Sequence, residues 1–248
     1  MLKKYDFIFS IGEACSCTQL LRENDLQFAS YPLDWVAGSN FEERINLFLN
    51  QFKNYINKDD LEYAFYNGIN DCNAYYNKQN DFTFNHDFSA KLDFNVSYDE
   101  VKSKYNRRIE RLYSDINKSN SILMVWVELP LTDSKKADKS SIVEIFNKVL
   151  LKYPNKKFDL LYIVNNEKQT NNIEKLSDNV TYVVSSYKDK KSEFDYAVKR
   201  KKLTWLFNKY TLNLPFGFLL KRKIQRLFVN LIFIKSLKKK LRKKFHLK

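Results

Sequence analysis

Ile122-Leu123-Met124-Val125-Trp126-Val127 is an unbroken run of six apolar residues, bounded by Ser121 and Glu128. A strand with one wet face alternates apolar and polar residues, so a short run that is apolar throughout predicts a strand covered on both faces. Downstream, helical spacing of apolar residues from Ile142 to Tyr153 predicts a helix. Leu160–Val164 and Val180–Val184 then read as two more short strands. Buried strands separated by a helix are joined most simply as parallel neighbours. Residues 5–11 add an earlier strand of the same kind. The expected fold is therefore α/β, a layered domain built on a mainly parallel sheet.

The region between the first two strands is less regular. Residues 14–24 read as a helix with Leu20 and Leu21 on its inner face, and Pro32-Leu33-Asp34-Trp35 as a loop. Phe41 to Phe52 carries apolar residues at 41, 45, 48, 49 and 52, which is helical spacing. From Tyr63 to Phe88 aromatics are dense and irregularly spaced, which suggests an insertion of short strands or a hairpin. Ser97-Tyr98-Asp99-Glu100 has the capping-box pattern and predicts a helix running to about Asn117, with Val101, Tyr105, Ile109 and Leu112 buried.

Twenty Phe and sixteen Tyr against four Gly and four Pro exclude a disordered or collagen-like chain, and 248 residues suffice for a sizeable core. The net charge of +14 is unevenly spread. Residues 1–199 hold 27 Lys and Arg against 29 Asp and Glu, whereas residues 200–248 hold 16 Lys and Arg and no acid. This predicts a nearly neutral body, 1–199, followed by a basic tail, 200–248. Three cysteines, Cys15, Cys17 and Cys72, leave at least one thiol free. With no secretory signal at the start, a reducing cytoplasm is the expected compartment.

Phe7-Ile8-Phe9-Ser10-Ile11-Gly12-Glu13-Ala14-Cys15 delivers a cysteine from the end of the first strand to the start of a helix. The unpaired N–H groups and the positive dipole end at such a position favour thiolate, the nucleophilic form. The other reading is a small apolar residue packed behind the strand.

Four stretches in order carry a resemblance: Ser10-Ile-Gly-x-x-Cys15, Ser30-Tyr-Pro-Leu-Asp-Trp35, Asn85-His-Asp-Phe88 and Tyr105-Asn-Arg-Arg-Ile-Glu-Arg111. Over roughly residues 5–165 the chain resembles a family of uncharacterised bacterial proteins described as papain-like cysteine peptidases. The resemblance implies Cys15 as nucleophile and His86 as its base. The other histidine, His246, lies two residues from the end in the basic tail, so a Cys–His pair would have to use His86. Asp34 is the first candidate to orient the imidazole, because Pro32 and Trp35 hold its loop and the family pattern includes it. It reads equally well as a capping or turn residue. Asp87 adjoins His86, but neighbouring side chains often point apart. A papain-like fold also implies a largely antiparallel β-lobe, at odds with the layered pattern of residues 121–185.

Ligands of open parallel sheets bind beyond the carboxyl ends of the strands. That rim gathers Cys15, Glu128, Asn165 with Asn166, and Ser185 with Ser186. Glu128 and Asn165 are therefore candidate substrate contacts. Arg107 and Arg108 are candidates for a phosphate or sugar carboxylate, or else form with Arg111 a solvated helix face beside Glu110 and Asp115. No Walker loop or G-x-G-x-x-G occurs. Cys15-x-Cys17 with one histidine is a poor zinc set, so neither cofactor nor metal is expected.

In the tail, apolar residues at 220, 224, 227, 231, 234, 237, 241 and 245 form a helical stripe among lysines and arginines. The pattern suits a helix lying in a membrane interface, with residues 219–248 on anionic headgroups at the inner membrane face. A helix packed on its own domain is the competing reading, and the stripe argues against a pure nucleic-acid tail. Three functions follow as expectations, the least elaborate being a non-catalytic membrane-bound adaptor. A second is a thiol hydrolase or acyltransferase acting on a peptide, acyl or glycan substrate. The third is a transferase or accessory protein of cell-surface polysaccharide assembly, in which Cys15 would be structural.

Overall fold

A computed structural model describes residues 2–130, 136–169, 171–192, 197–232 and 235–245. In chain order the elements are β1 (Lys3–Tyr5), β2 (Phe7–Ser10), α1 (Cys15–Glu23), β3 (Val36–Gly38), α2 (Phe41–Leu49), β4 (Leu61–Asn67), β5 (Cys72–Asn77) and β6 (Phe82–Ser89). There follow α3 (Phe94–Lys118), β7 (Ser121–Val127), α4 (Lys139–Lys152), β8 (Lys157–Asn165), β9 (Asn172–Lys175) and β10 (Val180–Ser185). The chain closes with α5 (Thr204–Phe207), β11 (Tyr210–Leu212), α6 (Phe216–Asn230) and α7 (Lys235–Phe245).

The central sheet has the order β2-β7-β8-β10-β9. Its first four strands run parallel, and β9 pairs antiparallel with β10 at one edge. The fold is thus mixed α/β with a mainly parallel central sheet. The apolar runs divide their residues between two faces, as a period of two requires. Phe7, Phe9, Ile122, Met124, Trp126, Phe158, Leu160 and Tyr162 enter one core, against side chains of α2, α3 and α4. Ile8, Leu123, Val125, Val127, Leu161, Ile163 and Val183 enter a second, against Cys17, Leu20 and Leu21 of α1.

That second face is completed from the far end of the chain. Leu203, Leu206, Phe207 and Tyr210 are buried in the same core, and β11 pairs in parallel with β1. This second core extends to Leu212, beyond the charge boundary at residue 199. Charge composition records where acids stop, and packing here recruits the apolar residues that lie among the lysines.

Residues 36–89 form a four-stranded antiparallel sheet of order β3-β6-β5-β4. The capping box lies at α2, where Asn40 accepts from the Glu43 amide and the Glu43 side chain accepts from the Asn40 amide. The one expected at Ser97 is absent. Helix α3 begins earlier, at Asp93, whose side chain accepts from the Asn95 amide. Ser97 Oγ instead accepts from the Ser89 amide, tying α3 to the end of β6.

Candidate functional site

After β2 the chain keeps to the edge of β7, with Ile11 and Glu13 amides donating to the Val125 and Val127 carbonyls at 2.9 and 3.3 Å. Gly12 is required here, because a Cβ at this position would lie 2.4 Å from Cys17 Cβ. Helix α1 then starts at Cys15, with Ala14 in the capping position and no side-chain cap.

Cys15 is half-buried, and burial pushes its thiol above the usual range. Arg200 and the amides of Cys15 and Ser16 pull the other way without prevailing. The helix-terminus effect expected from the sequence therefore operates but is outweighed by desolvation. The resting group is a thiol. Cys17 is fully buried, its Sγ–H donating to the Val125 carbonyl, and its pKa is pushed up to about 12 by burial. Cys72 lies on β5, with its Sγ–H directed to the Asn70 carbonyl at 3.2 Å.

Asp34 has no solvent exposure. It accepts from Thr18 Oγ1 at 2.8 Å, Gln27 Nε2 at 2.7 Å and the Tyr31 amide at 2.8 Å. Burial raises its pKa to about 6, a shift that these donors and the charges of Arg22 and Arg108 oppose. Asp34 is bound to α1 one turn beyond Cys15, since Thr18 follows Cys15 by three residues on the helix.

His86 sits in a break of the β5–β6 ladder. Asn73 pairs with Phe88 and Tyr75 with Phe84, so Asn85, His86 and Asp87 together face Ala74 alone. Such bulges re-aim side chains. Asp87 turns inward, 2.7 Å from Lys104 Nζ and accepting from Tyr105 Oη at 2.8 Å. His86 turns outward, where its Nδ1 faces Asn70 Nδ2 at 3.0 Å. Antiparallel pairing of β3 with β6 ends at Val36–Phe84, two residues short of both Asp34 and His86. The segments bearing them leave the ladder at one end. Among the described residues, no hydrogen bond joins Cys15, His86 and Asp34 to one another.

The other predicted residues separate into two places. Glu128 and Asn165 line one cleft beyond the carboxyl ends of β7 and β8, together with Asn166. Glu128 is buried and paired with Lys136; burial raises its pKa, and Lys136 opposes the shift. Asn165 Oδ1 accepts from the amides of Tyr187 and Lys188. Ser185 Oγ donates to Asn171 Oδ1. The arginines lie elsewhere, on α3. Arg107 is exposed, while Arg108 covers the Tyr105 ring at 4.6 Å and approaches Asp87 at 3.9 Å. Arg111, exposed like Arg107 and Glu110, donates to the Ser30 carbonyl at 2.8 Å and so ties this partly solvated helix face to the start of the Ser30–Trp35 loop.

Arg44 escaped the sequence reading. It is wholly buried and donates to the carbonyls of Gly12, Glu13, Leu33, Val36 and Gly38 and to Ser39 Oγ. It thereby locks the Gly12–Glu13 turn before Cys15 to β3. The signal was present: residue 44 falls between 41, 45 and 48 on the apolar face of α2. Among the described residues, no three His, Cys, Asp or Glu side chains are grouped to hold a metal ion.

A family described as "Putative papain-like cysteine peptidase (DUF1796)" matches residues 6–168, from β2 through β8, which include the four-stranded antiparallel sheet, three of the central strands, and Cys15, Asp34, His86, Arg107, Arg108, Glu128 and Asn165. No curated protein and no solved structure matches the chain.

Proposed function

Since the chain belongs to this family of papain-like cysteine peptidases, we propose that it is a thiol-dependent hydrolase or acyltransferase with Cys15 as nucleophile. The contrast among its cysteines carries the reading. Cys17 is sealed in the core, whereas Cys15 is partly accessible at the first turn of α1, with the amides of Cys15 and Ser16 beside its sulfur.

In the proposed reaction the Cys15 sulfur attacks the acyl carbon of a peptide or other acyl substrate. The thiol proton passes to His86, whose imidazolium then protonates the leaving group; water hydrolyses the thioester with imidazole again as base. Because burial keeps the resting thiol protonated, this base is needed. Asn70 Nδ2 and Asn67 Nδ2 both face Nδ1, at 3.0 and 3.4 Å; in the tautomer that accepts from them the ring proton is on Nε2, and His86 acts as base only after leaving these amides. Asp34 serves as a positioning residue, holding α1 through Thr18 rather than accepting from the resting imidazole.

The test is intact-protein mass spectrometry during turnover of p-nitrophenyl acetate. An acetyl adduct should form on Cys15, vanish in Cys15→Ser and form more slowly in His86→Ala. Turnover by Cys15→Ser equal to wild type, with acetylation elsewhere, overturns the reading.

We infer a second property, contact with an anionic membrane surface through α6 and α7. Leu220, Ile224, Leu227, Phe228 and Leu231 of the α6 region and Leu237 of α7 are exposed at helical spacing. The surrounding 200–248 stretch carries 16 cations and no acid. Such a stripe dips into headgroups while cations meet lipid charge. The opposite side of α6 is held to the body by Arg222, 2.7 Å from Asp25 and stacked on Phe28. Among the described residues, no helix is long and apolar enough to cross a membrane; Ile234 of the stripe lies outside those residues. The competing reading, an accessory or transferase role in polysaccharide assembly at the inner membrane face, would use the same tail. Nucleotide-sugar binding that survives alkylation of Cys15 would favour it over thiol chemistry.

A further inference from the structure

Three aromatic residues form a row across the central sheet. Trp126 is the register partner of Tyr162, and Tyr162 of Tyr182. Their rings stack at 5.7 and 5.8 Å, with interplanar angles of 21° and 12°. Phe41 closes one end edge-on, 5.5 Å from Trp126. At the carboxyl edge of this row lies a cleft of about 420 Å³, with Glu128, Asn165, Asn166, Gln169, Asn172 and Tyr182 in its walls. This falls within the range of about 300–1,000 Å³ that small-molecule sites occupy.

A smaller cavity of about 10 Å³, bounded by Glu13, Trp126, Tyr162 and again Glu128 and Lys136, adjoins it. That volume is near the minimum for one water-sized group. Trp126 is 97 % buried, being 3 % exposed, yet its Nε1–H has no hydrogen-bond partner among the described residues. A buried indole donor left unpaired costs free energy unless a further acceptor reaches it. Glu13 and Glu128, both buried, place carboxylates about the same cavity.

We propose that this cleft binds a neutral polyhydroxylated ligand, a sugar unit, with one hydroxyl seated in the inner cavity. There the hydroxyl oxygen accepts from Trp126 Nε1 and its proton is donated to the Glu128 side. Hydroxyls suit this lining because each can do both, whereas an amide N–H or a phosphate oxygen can do only one. The cations present do not call for an anion: Lys136 is matched by Glu128, and Lys139 by Glu174 at 2.5 Å. What remains is amide chemistry. Asn165 spends its oxygen on two backbone amides and keeps its NH₂ for a ligand. The Tyr182 ring, stacked on Tyr162 and with Lys139 Nζ 5.2 Å from its centroid, adds a partly exposed apolar edge to the cleft. Cys15 lines neither cavity, so the proposal stands whether or not the thiol chemistry does.

The test uses the full chain labelled with ¹⁵N-tryptophan, which has three indole signals. It is titrated with neutral gluco-, galacto-, manno- and N-acetylhexosamine sugars, as monomers and as linear oligomers. The indole signal of Trp126, assigned by Trp126→Phe, should shift downfield while those of Trp35 and Trp205 stay in place. Glu128→Gln and the surface changes Gln169→Ala and Asn172→Ala should each weaken binding, Glu128→Gln by about ten-fold or more. Equal binding of monomer and oligomer identifies a free sugar, and tighter binding of the oligomer identifies a glycan chain. Cys15→Ser should bind as wild type. If no neutral sugar moves the Trp126 signal, or if a peptide or inorganic phosphate moves it instead, the proposal fails.

Discussion

Thr18 Oγ1 donates to Asp34 Oδ1 across 2.8 Å, linking the helix that begins at Cys15 to the loop between Pro32 and Trp35. The bond lies inside the protein, with both residues at 0 % exposure. It explains why an aspartate that the family pattern suggests as a partner for histidine is held by a threonine, a glutamine and a backbone amide instead.

Asp34 makes stability depend on pH. Its folded pKa of about 6 lies above the unfolded value of about 3.9, so the folded state holds an extra proton between them. Stability is therefore gained below that window and falls as pH rises through it, by about 2 to 3 kcal/mol at 1.36 kcal/mol per unit. Asp34→Asn should remove this part of the slope in urea denaturation at pH 4 to 7. An unchanged slope would mean the carboxyl titrates normally.

Arg44 makes a sharper prediction. Burial disfavours its charge, and what compensates is the set of carbonyls around it. Arg44→Leu strands those carbonyls, and Arg44→Lys cannot reach them with a single nitrogen. Both should lose on the order of 3–5 kcal/mol in equilibrium denaturation, the range for a broken buried polar network. A loss below 1 kcal/mol would show that water takes over the carbonyls.

The cysteines should separate by pH in iodoacetamide labelling read by peptide mapping. Cys15, raised by burial, should reach its half-maximal rate at a higher pH than a free cysteine, and Arg200→Ala should move that point higher still, since Arg200 lowers this pKa. Cys17 should label only on unfolding. Fast labelling of Cys15 near pH 6, lost in His86→Ala, would mean that thiolate and imidazolium already pair at rest.

The tail is tested by sedimentation with lipid vesicles. Binding should be strong to vesicles with anionic lipid, weak to neutral ones, and reduced by salt. Replacing Ile224, Leu227 and Phe228 by serine removes three exposed apolar side chains. At roughly 1 to 2 kcal/mol each, partly inserted, this should weaken binding by at least 100-fold with the body still folded. Equal binding by the triple variant would assign the interaction to charge alone.

Much of the fold was legible. The apolar runs at 122–127 and 160–164 could only be doubly covered strands, and they are the central pair of the sheet. Helix positions followed from apolar spacing, with ends shifted where capping differed, as at Asp93 rather than Ser97. Of the candidate site, Glu128 and Asn165 meet in one cleft as the strand-end rule implied. Arg107 and Arg108 do not join them, because α3 carries Arg108 over the Tyr105 ring and leaves Arg107 exposed.

What the sequence by itself determined is what short-range geometry dictates. A period of two sends Phe7 and Phe9 to one core and Ile8 to the other. Two residues along a helix turn Cys15 and Cys17 apart, leaving one thiol partly accessible and the other sealed. Tertiary structure decided everything that depends on contacts between distant segments. It set the ionisation of Cys15, through burial and Arg200, and the partners of Asp34, through α1. The bulge opposite Ala74 turned His86 outward, and residues 203–212 closed the second face. These depend on desolvation and on register between strands, neither of which a single segment carries in its own pattern.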